Sequence, residues 1–190
     1  MADTPFGLRP LRGYSGNDLI ECVVPASDGT ALFVGDAVKL HGDADTTYNA
    51  PTVIQAAAGN PIFGVVVGLV PDYDNLTRKY RTASTLRRVQ VCMARPSIVF
   101  EIQANAAMTT SMVGSHFDLV VGSGDTTTGR SGMEIDTDGT PAGAGTTAQL
   151  LLLGPSRTVN ETFDTAAAGT NVEVTIFESQ FNAVATGLSV

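Results

Sequence analysis

What most constrains this chain is the near-absence of an apolar period of 3.6 residues. In its place stand eleven short β-like runs: Leu19–Val24, Ala31–Phe33, Ala37–Leu40, Thr52–Ala56, Ile62–Val70, Leu86–Met93, Ile98–Ile102, Phe117–Val121, Met133–Ile135, Gln149–Leu153 and Val172–Phe177. Some alternate with period two, as in Val89-Gln90-Val91-Cys92 and Val172-Glu173-Val174-Thr175-Ile176, the mark of a half-buried strand. Others, Val65-Val66-Val67 and Leu150 to Leu153, are apolar throughout and require cover on both faces. The best helical candidate, Ala104 to Val113, is short, polar and rich in Thr and Ser. Asp28-Gly29 and Asp138-Gly139 supply hairpin turns, and Gly35-Asp36 reads as a sharp corner opening a barrel strand. His41 to Ala50 and Gly139 to Thr147 read as long loops. The pattern predicts an all-β fold, a small β-barrel or sandwich of short strands.

Ahead of these runs lies Met1-Ala2-Asp3-Thr4-Pro5-Phe6-Gly7-Leu8-Arg9-Pro10, with proline at both ends of its central stretch. Pro5 and Pro10 fix their own φ and push Thr4 and Arg9 away from helix, so an extended arm is expected over residues 1–13. The expected division is that arm followed by a single β-rich domain over 14–190. Pro5, Phe6, Leu8, Arg9 and Arg12 read as a grip, with Phe6 as apolar anchor and the arginines pairing acidic groups at its rim. On that reading, deleting residues 2–12 leaves the β body intact and weakens only the binding of a partner; the alternative is that the arm folds back as an edge of its own barrel or reaches only a sister subunit.

The chain has 190 residues, enough to bury roughly 70% of its unfolded surface without metal or disulfide. Its formal charge of −8 argues against sequence-independent nucleic-acid binding, which needs surplus Lys and Arg to displace counterions. Basic residues are nevertheless concentrated: Arg78, Lys79, Arg81, Arg87 and Arg88 fall within eleven positions. They read either as the polar face of a strand and its leading loop or as a docking patch for an acidic protein surface. Cys22 and Cys92 sit in separate apolar runs and are expected to remain reduced thiols. No basic segment followed by an apolar stretch opens the chain, and the longest apolar run, Ile62 to Pro71, is too short for a membrane span. A soluble protein made in the cytoplasm, without membrane partner, is the expectation.

The motifs that suggest chemistry fail on inspection. Gly124-Asp125-Thr126-Thr127-Thr128-Gly129-Arg130-Ser131 has the spacing of a phosphate-binding loop with Arg130 for the lysine. Such a loop must open a helix, whereas a strand run, Met133-Glu134-Ile135, follows directly, so a β-hairpin loop is expected. Asp136-Thr137-Asp138-Gly139 lacks the further oxygen ligands and closing glutamate of a calcium loop. His41 and His116, the only histidines, stand in no metal-ligand spacing, and there is no G-x-S-x-G elbow. No enzyme activity, catalytic residue, metal, cofactor or small-molecule substrate is expected.

Several segments in order carry a likeness: Pro5-Phe6-Gly7-Leu8-Arg9-Pro10, Ala31-Leu32-Phe33-Val34-Gly35-Asp36-Ala37-Val38 and Gly64-Val65-Val66-Val67-Gly68. Tyr80-Arg81-Thr82-Ala83-Ser84-Thr85, Phe100-Glu101-Ile102-Gln103 and Ala148-Gln149-Leu150 complete it. Together they resemble the virion structural proteins of tailed bacteriophages, specifically the head decoration (cement) proteins. The resemblance spans most of the chain and rests on order and flavour rather than one diagnostic motif. It implies a β-rich protein that binds the outer surface of the capsid, as a homo-trimer, and stabilises the lattice of the major capsid protein. On the residues, the capsid-binding candidates are the five arm positions together with Arg78, Lys79 and Arg81. The alternatives are a phage tail or baseplate component and, from another class, a carbohydrate-binding or hydrolytic β-sandwich. The last is disfavoured by the absence of Trp and the presence of only four Tyr.

Overall fold

A computed structural model describes residues 4–138, 148–157, 163 and 168–181. The strands are β1 (Arg9–Arg12), β2 (Leu19–Val24), β3 (Ala37–Asp45), β4 (Ala50–Gln55), β5 (Gly64–Leu69), β6 (Arg87–Met93), β7 (Val99–Gln103), β8 (His116–Phe117), β9 (Leu119–Val120), β10 (Glu134–Ile135), β11 (Leu150–Pro155) and β12 (Asn171–Ile176). Among the described residues helix is confined to two three-residue 3-10 turns, Gly16–Asp18 and Thr110–Met112. The fold is all-β. Thr110–Met112 is what remains of the helical candidate at Ala104 to Val113, whose Thr and Ser side chains offer no apolar stripe to bury.

Two layers make up the body. Strands β2, β4, β3, β5 and β6 close into a barrel, in that order. β2 runs antiparallel to β6 from Leu19↔Cys92 to Val24↔Arg87 and meets β4 in parallel at Val23↔Thr52. The second layer is a five-stranded sheet in the order β1-β7-β12-β11-β8, with β9 and β10 forming a separate two-stranded ribbon. The apolar-throughout run of β5 is explained by this arrangement, whereas Leu150 to Leu153 in β11 is covered on one face only, with Leu151 half-buried and Leu153 exposed. Val66 points into the barrel beside Val38, Val53, Val89 and Val91, whereas Val65 joins Ala37 and Cys92 in the core shared with the sheet. Successive side chains on a strand face opposite ways, so a strand between two cores has no polar face. Cys22 lies in the barrel core and Cys92 in the shared core, both as free thiols. Burial pushes their pKa values up, to about 12 and about 11, so both are protonated at neutral pH.

Two expected loops read differently. His41 to Ala50 is mostly hairpin: β3 continues to Asp45 across a register shift between Leu40 and Ala44, and only residues 46–49 turn. The Asp45 carboxylate accepts from the amides of Thr47 and Tyr48 (3.0 and 2.8 Å), fixing the tip. The loop at Gly139 to Thr147 lies outside the described residues. Ala31–Phe33 forms no strand; Leu32 and Val34 make single bridges to Arg81 and Arg130.

The larger correction concerns the N-terminal arm. It is not separate from the body. Arg9–Arg12 forms edge strand β1, paired antiparallel with β7 (Arg9↔Glu101, Pro10↔Phe100), and the register shifts between Pro10 and Arg12. Proline is admissible there because the edge of a sheet leaves one row of amides without a ladder partner anyway. Leu8, expected to face a partner, is 1% exposed in the shared core. Gly7 and Gly35 allow this seating. Gly7 has φ +73°, and a Cβ on it would lie 2.4 Å from the Gly35 carbonyl oxygen, to which the Leu8 amide donates at 2.9 Å.

Charge holds the strand in place. Glu101 and Glu173 are buried and stand directly opposite one another on β7 and β12, an unfavourable pair by itself. Arg9 Nε donates to Glu101 at 2.5 Å, and Arg12 Nη1 pairs Glu173 at 2.6 Å. Ser156 also donates to Glu101, and the Arg157 amide to Glu173 (3.3 Å). The two arginines read as rim charges for a partner therefore neutralise carboxylates of their own sheet.

Asp36 carries out the corner read at Gly35-Asp36. Its Oδ2 accepts from the Phe33 amide (2.9 Å) and Gln55 Nε2 (3.0 Å), with Ser131 as a further donor. Burial raises its pKa from the ordinary 3.8 more than these donors lower it. The folded state thus holds this proton more tightly than the unfolded chain, and ionisation subtracts stability as pH rises above the unfolded value.

Three outcomes follow from this packing. Leu8→Ala is expected to cost roughly 2–5 kcal/mol in urea unfolding, and deletion of residues 2–12 to lower the melting temperature, because it strands two buried glutamates. Unchanged melting of the truncated protein refutes the seating of β1. Asp36→Asn keeps an acceptor for Phe33 and Gln55 while removing the buried charge. Its stability relative to the wild type should rise from acid to neutral pH, and a difference that does not grow across that range refutes the assignment.

Candidate functional site

The connection between β5 and β6 is the most elaborate on the surface of the barrel, and its sequence builds it from local turns. The Asp72 carboxylate accepts from the Asp74 amide (3.1 Å), and the Asn75 side chain accepts from the Thr77 amide (3.2 Å) and hydroxyl (2.7 Å). Two such side-chain turns in series project Tyr73 and Leu76 outward, 84% and 75% exposed. The returning segment is pinned down. Lys79 Nζ donates to the Thr127 carbonyl at 2.9 Å, and Tyr80 stacks on Phe33 with ring centroids 5.0 Å apart.

Arg81 is the deepest pin. Its guanidinium has no exposure, and all its donor nitrogens are engaged. Nε donates to the Thr85 carbonyl (2.8 Å), Nη2 to the carbonyls of Pro25 (2.7 Å) and Asp28 (2.9 Å), and Nη1 to the Thr30 carbonyl and the Asp28 carboxylate (3.2 Å). Ser84 takes a left-handed φ of 55°, and its amide donates to the Asp28 carbonyl at 2.9 Å, closing the clasp from the other side. Burial lowers the pKa of Arg81, and the Asp28 charge opposes that. Arg81 thus cannot meet a partner. Sequence alone places it at the surface, because arginine is seldom fully buried unless every donor is served, as here.

Between the loop and the tip of the β3–β4 hairpin lies a groove of about 520 Å³, lined among others by Tyr48, Asp72, Tyr73, Arg78, Arg87 and Arg88. A single oxygen of Asp72 accepts from Nη1 of Arg78 and of Arg87, each at 3.0 Å. Arg88 lies under the Tyr48 ring (4.9 Å to the centroid) and pairs Glu21 at 3.2 Å across the β2–β6 ladder. Three guanidiniums and two exposed aromatic side chains therefore border one concavity.

Of the eight residues picked from sequence, only Arg78 lines this groove, and Lys79 and Arg81 brace the loop behind it. Pro5 and Phe6 are half-buried at the edge of the other layer, where Arg9 also lies over the Phe6 ring at 4.9 Å. Tyr48, Asp72, Tyr73 and Leu76 escaped notice because they come from two distant stretches of chain. The one local signal was the Asp72-Tyr73-Asp74-Asn75 spacing of side-chain turns.

The phosphate-loop likeness is a closed hairpin. Asp125 and Arg130 bridge, the Gly129 amide donates to the Asp125 carbonyl (2.7 Å), and the Thr127 amide to the Asp125 carboxylate (2.8 Å). Its amides point inward rather than to a common anion position. His116 is buried against Phe177 at 4.4 Å. Among the described residues no three of His, Cys, Asp and Glu gather as a metal-ligand set, and no helix is long and apolar enough to cross a membrane.

Arg81→Lys is expected to cost at least about 3 kcal/mol in chemical denaturation, because one ammonium cannot reach the positions a guanidinium serves and leaves buried acceptors unmatched. A variant as stable as the wild type contradicts the clasp. Compared with known proteins, the chain matches no family model. No curated protein and no solved structure matches it significantly.

Proposed function

We propose that the protein is a structural docking protein of a tailed bacteriophage, one that binds the outer surface of the capsid and stabilises the lattice of the major capsid protein. The observation that carries this reading is the pinned loop between β5 and β6, which holds Tyr73 and Leu76 in solvent beside arginine side chains. Large apolar side chains on a braced loop lose little entropy when covered, and tyrosine with arginine is the composition of interface hot spots. The resemblance in the chain's ordered landmarks supplies the partner. With the N-terminal strand seated in its own sheet, the grip moves from the arm to this loop.

A ligand that binds only the assembled shell stabilises it by RT ln(1 + [L]/Kd), about 2.7 kcal/mol per site at a hundredfold excess over Kd. A homo-trimer presenting three such loops gains avidity of about 10² to 10⁴ over one. Neither effect requires a reaction, a cofactor or nucleic acid.

The test is co-sedimentation of the labelled protein with empty expanded capsids, with electron microscopy to locate the label. Binding to head exteriors is expected, weakened at least about tenfold (1.4 kcal/mol) by the double substitution Tyr73→Ala and Leu76→Ala without loss of melting temperature. Label confined to tails assigns the protein to the tail instead. Undiminished capsid binding by the double variant removes the loop from the interface.

A further inference from the structure

The groove behind the Tyr73 loop has a more specific chemistry than adhesion requires. We propose that it recognises a carboxylate, taking one Asp or Glu side chain from an acidic segment of the docked protein. This deepens the docking function and rests on it for the identity of the partner, though not for the chemistry of the site.

Arg78 and Arg87 each give one nitrogen to the same oxygen of Asp72. A guanidinium is a planar fork suited to two oxygens at once, and a single-toothed contact leaves the other edge of the fork open. Arg87 is the sharper case. Its side chain is only 10% exposed, yet its Nε is buried with no hydrogen-bond partner. A buried charged donor without an acceptor is costly, and an incoming carboxylate that draws the fork round supplies one. Asp72 acts as the spacer that keeps two like charges side by side, an arrangement they would not adopt alone.

Charge and shape select the ligand class. Arg78 and Arg87 share one carboxylate, that of Asp72, so two guanidiniums meet a single hydrogen-bonded anion. Glu21 serves Arg88 from outside the groove, so the open forks are those of Arg78 and Arg87. One further carboxylate is the partner that this shared pair lacks. Tyr48 and Tyr73 wall the groove with rings that can cover the methylene stem of a Glu and the adjoining peptide.

The probes are an acetylated, amidated hexaglutamate peptide, the matching hexaglutamine peptide and inorganic phosphate, titrated into isotopically labelled protein by NMR. Hexaglutamate is expected to move the Nε–Hε signals of Arg78 and Arg87 saturably, more weakly as salt rises, while hexaglutamine does not. Arg87→Gln and Arg78→Gln should each weaken binding at least about tenfold. Arg130→Gln, on the other hairpin, should leave it unchanged. If Arg87→Gln disturbs the fold, the half-buried Arg78 decides the matter alone.

Three results overturn the proposal: no saturable shift with hexaglutamate up to about 10 mM, equal binding by Arg78→Gln, or saturation by phosphate at lower concentration than by the peptide. Capsid co-sedimentation of the wild type separates the two readings. Wild-type binding to shells that persists in Arg78→Gln sinks the carboxylate site and spares the docking function. Peptide binding without shell binding does the reverse.

Discussion

The buried guanidinium of Arg81 ties the loop that leaves β2 to the loop that enters β6, just beyond the end of the β2–β6 ladder. It takes carbonyls from the exit of β2 at Pro25, from the turn at Asp28 and Thr30, and from Thr85 at the entry to β6. A β-barrel with loops this polar needs some group to satisfy inward-pointing carbonyls where no ladder reaches them. Arginine can serve five acceptors from one plane, and no other side chain can. The end of the β2–β6 ladder that carries Arg87 and Arg88 is thereby fixed, and with it the floor of the groove.

Arginine does three distinct jobs in this molecule. At Arg81 it replaces missing main-chain donors. At Arg9 and Arg12 it neutralises two glutamates that face one another on β7 and β12, so that a polar cross-strand pair survives inside a sheet. At Arg78, Arg87 and Arg88 it is displayed, restrained by Asp72, Glu21 and Tyr48 but only partly satisfied. Only the third use leaves hydrogen-bonding capacity facing a concavity.

Most of the strand map is legible in the sequence, since apolar runs bounded by Gly, Pro and Asp admit few other readings. Leu19–Val24 and the cores of β5, β6, β7 and β12 lie where alternation or continuous apolarity places them. What is not legible follows from pairing at a distance. Pro5 and Pro10 argue locally against a strand, and only the position of β1 at a sheet edge makes the second proline harmless. Arg81 and Arg78 look alike in a string of letters, although one is sealed and the other lines a groove. The difference lies in Pro25, Asp28 and Thr30, some fifty positions upstream, which converge on Arg81 alone.

The double-sided burial of β5 has a consequence for how the molecule comes apart. Val65 and Val66 are neighbours in sequence, yet each belongs to a different core. Opening the barrel removes one wall of the space filled by Phe100, Ile102 and Leu152, and lifting the sheet leaves Ala37, Val65 and Cys92 facing water. Neither layer therefore has a folded state of its own to fall back on. The two unfold as one cooperative unit, so denaturant or heat that loosens either layer releases both cores in a single transition.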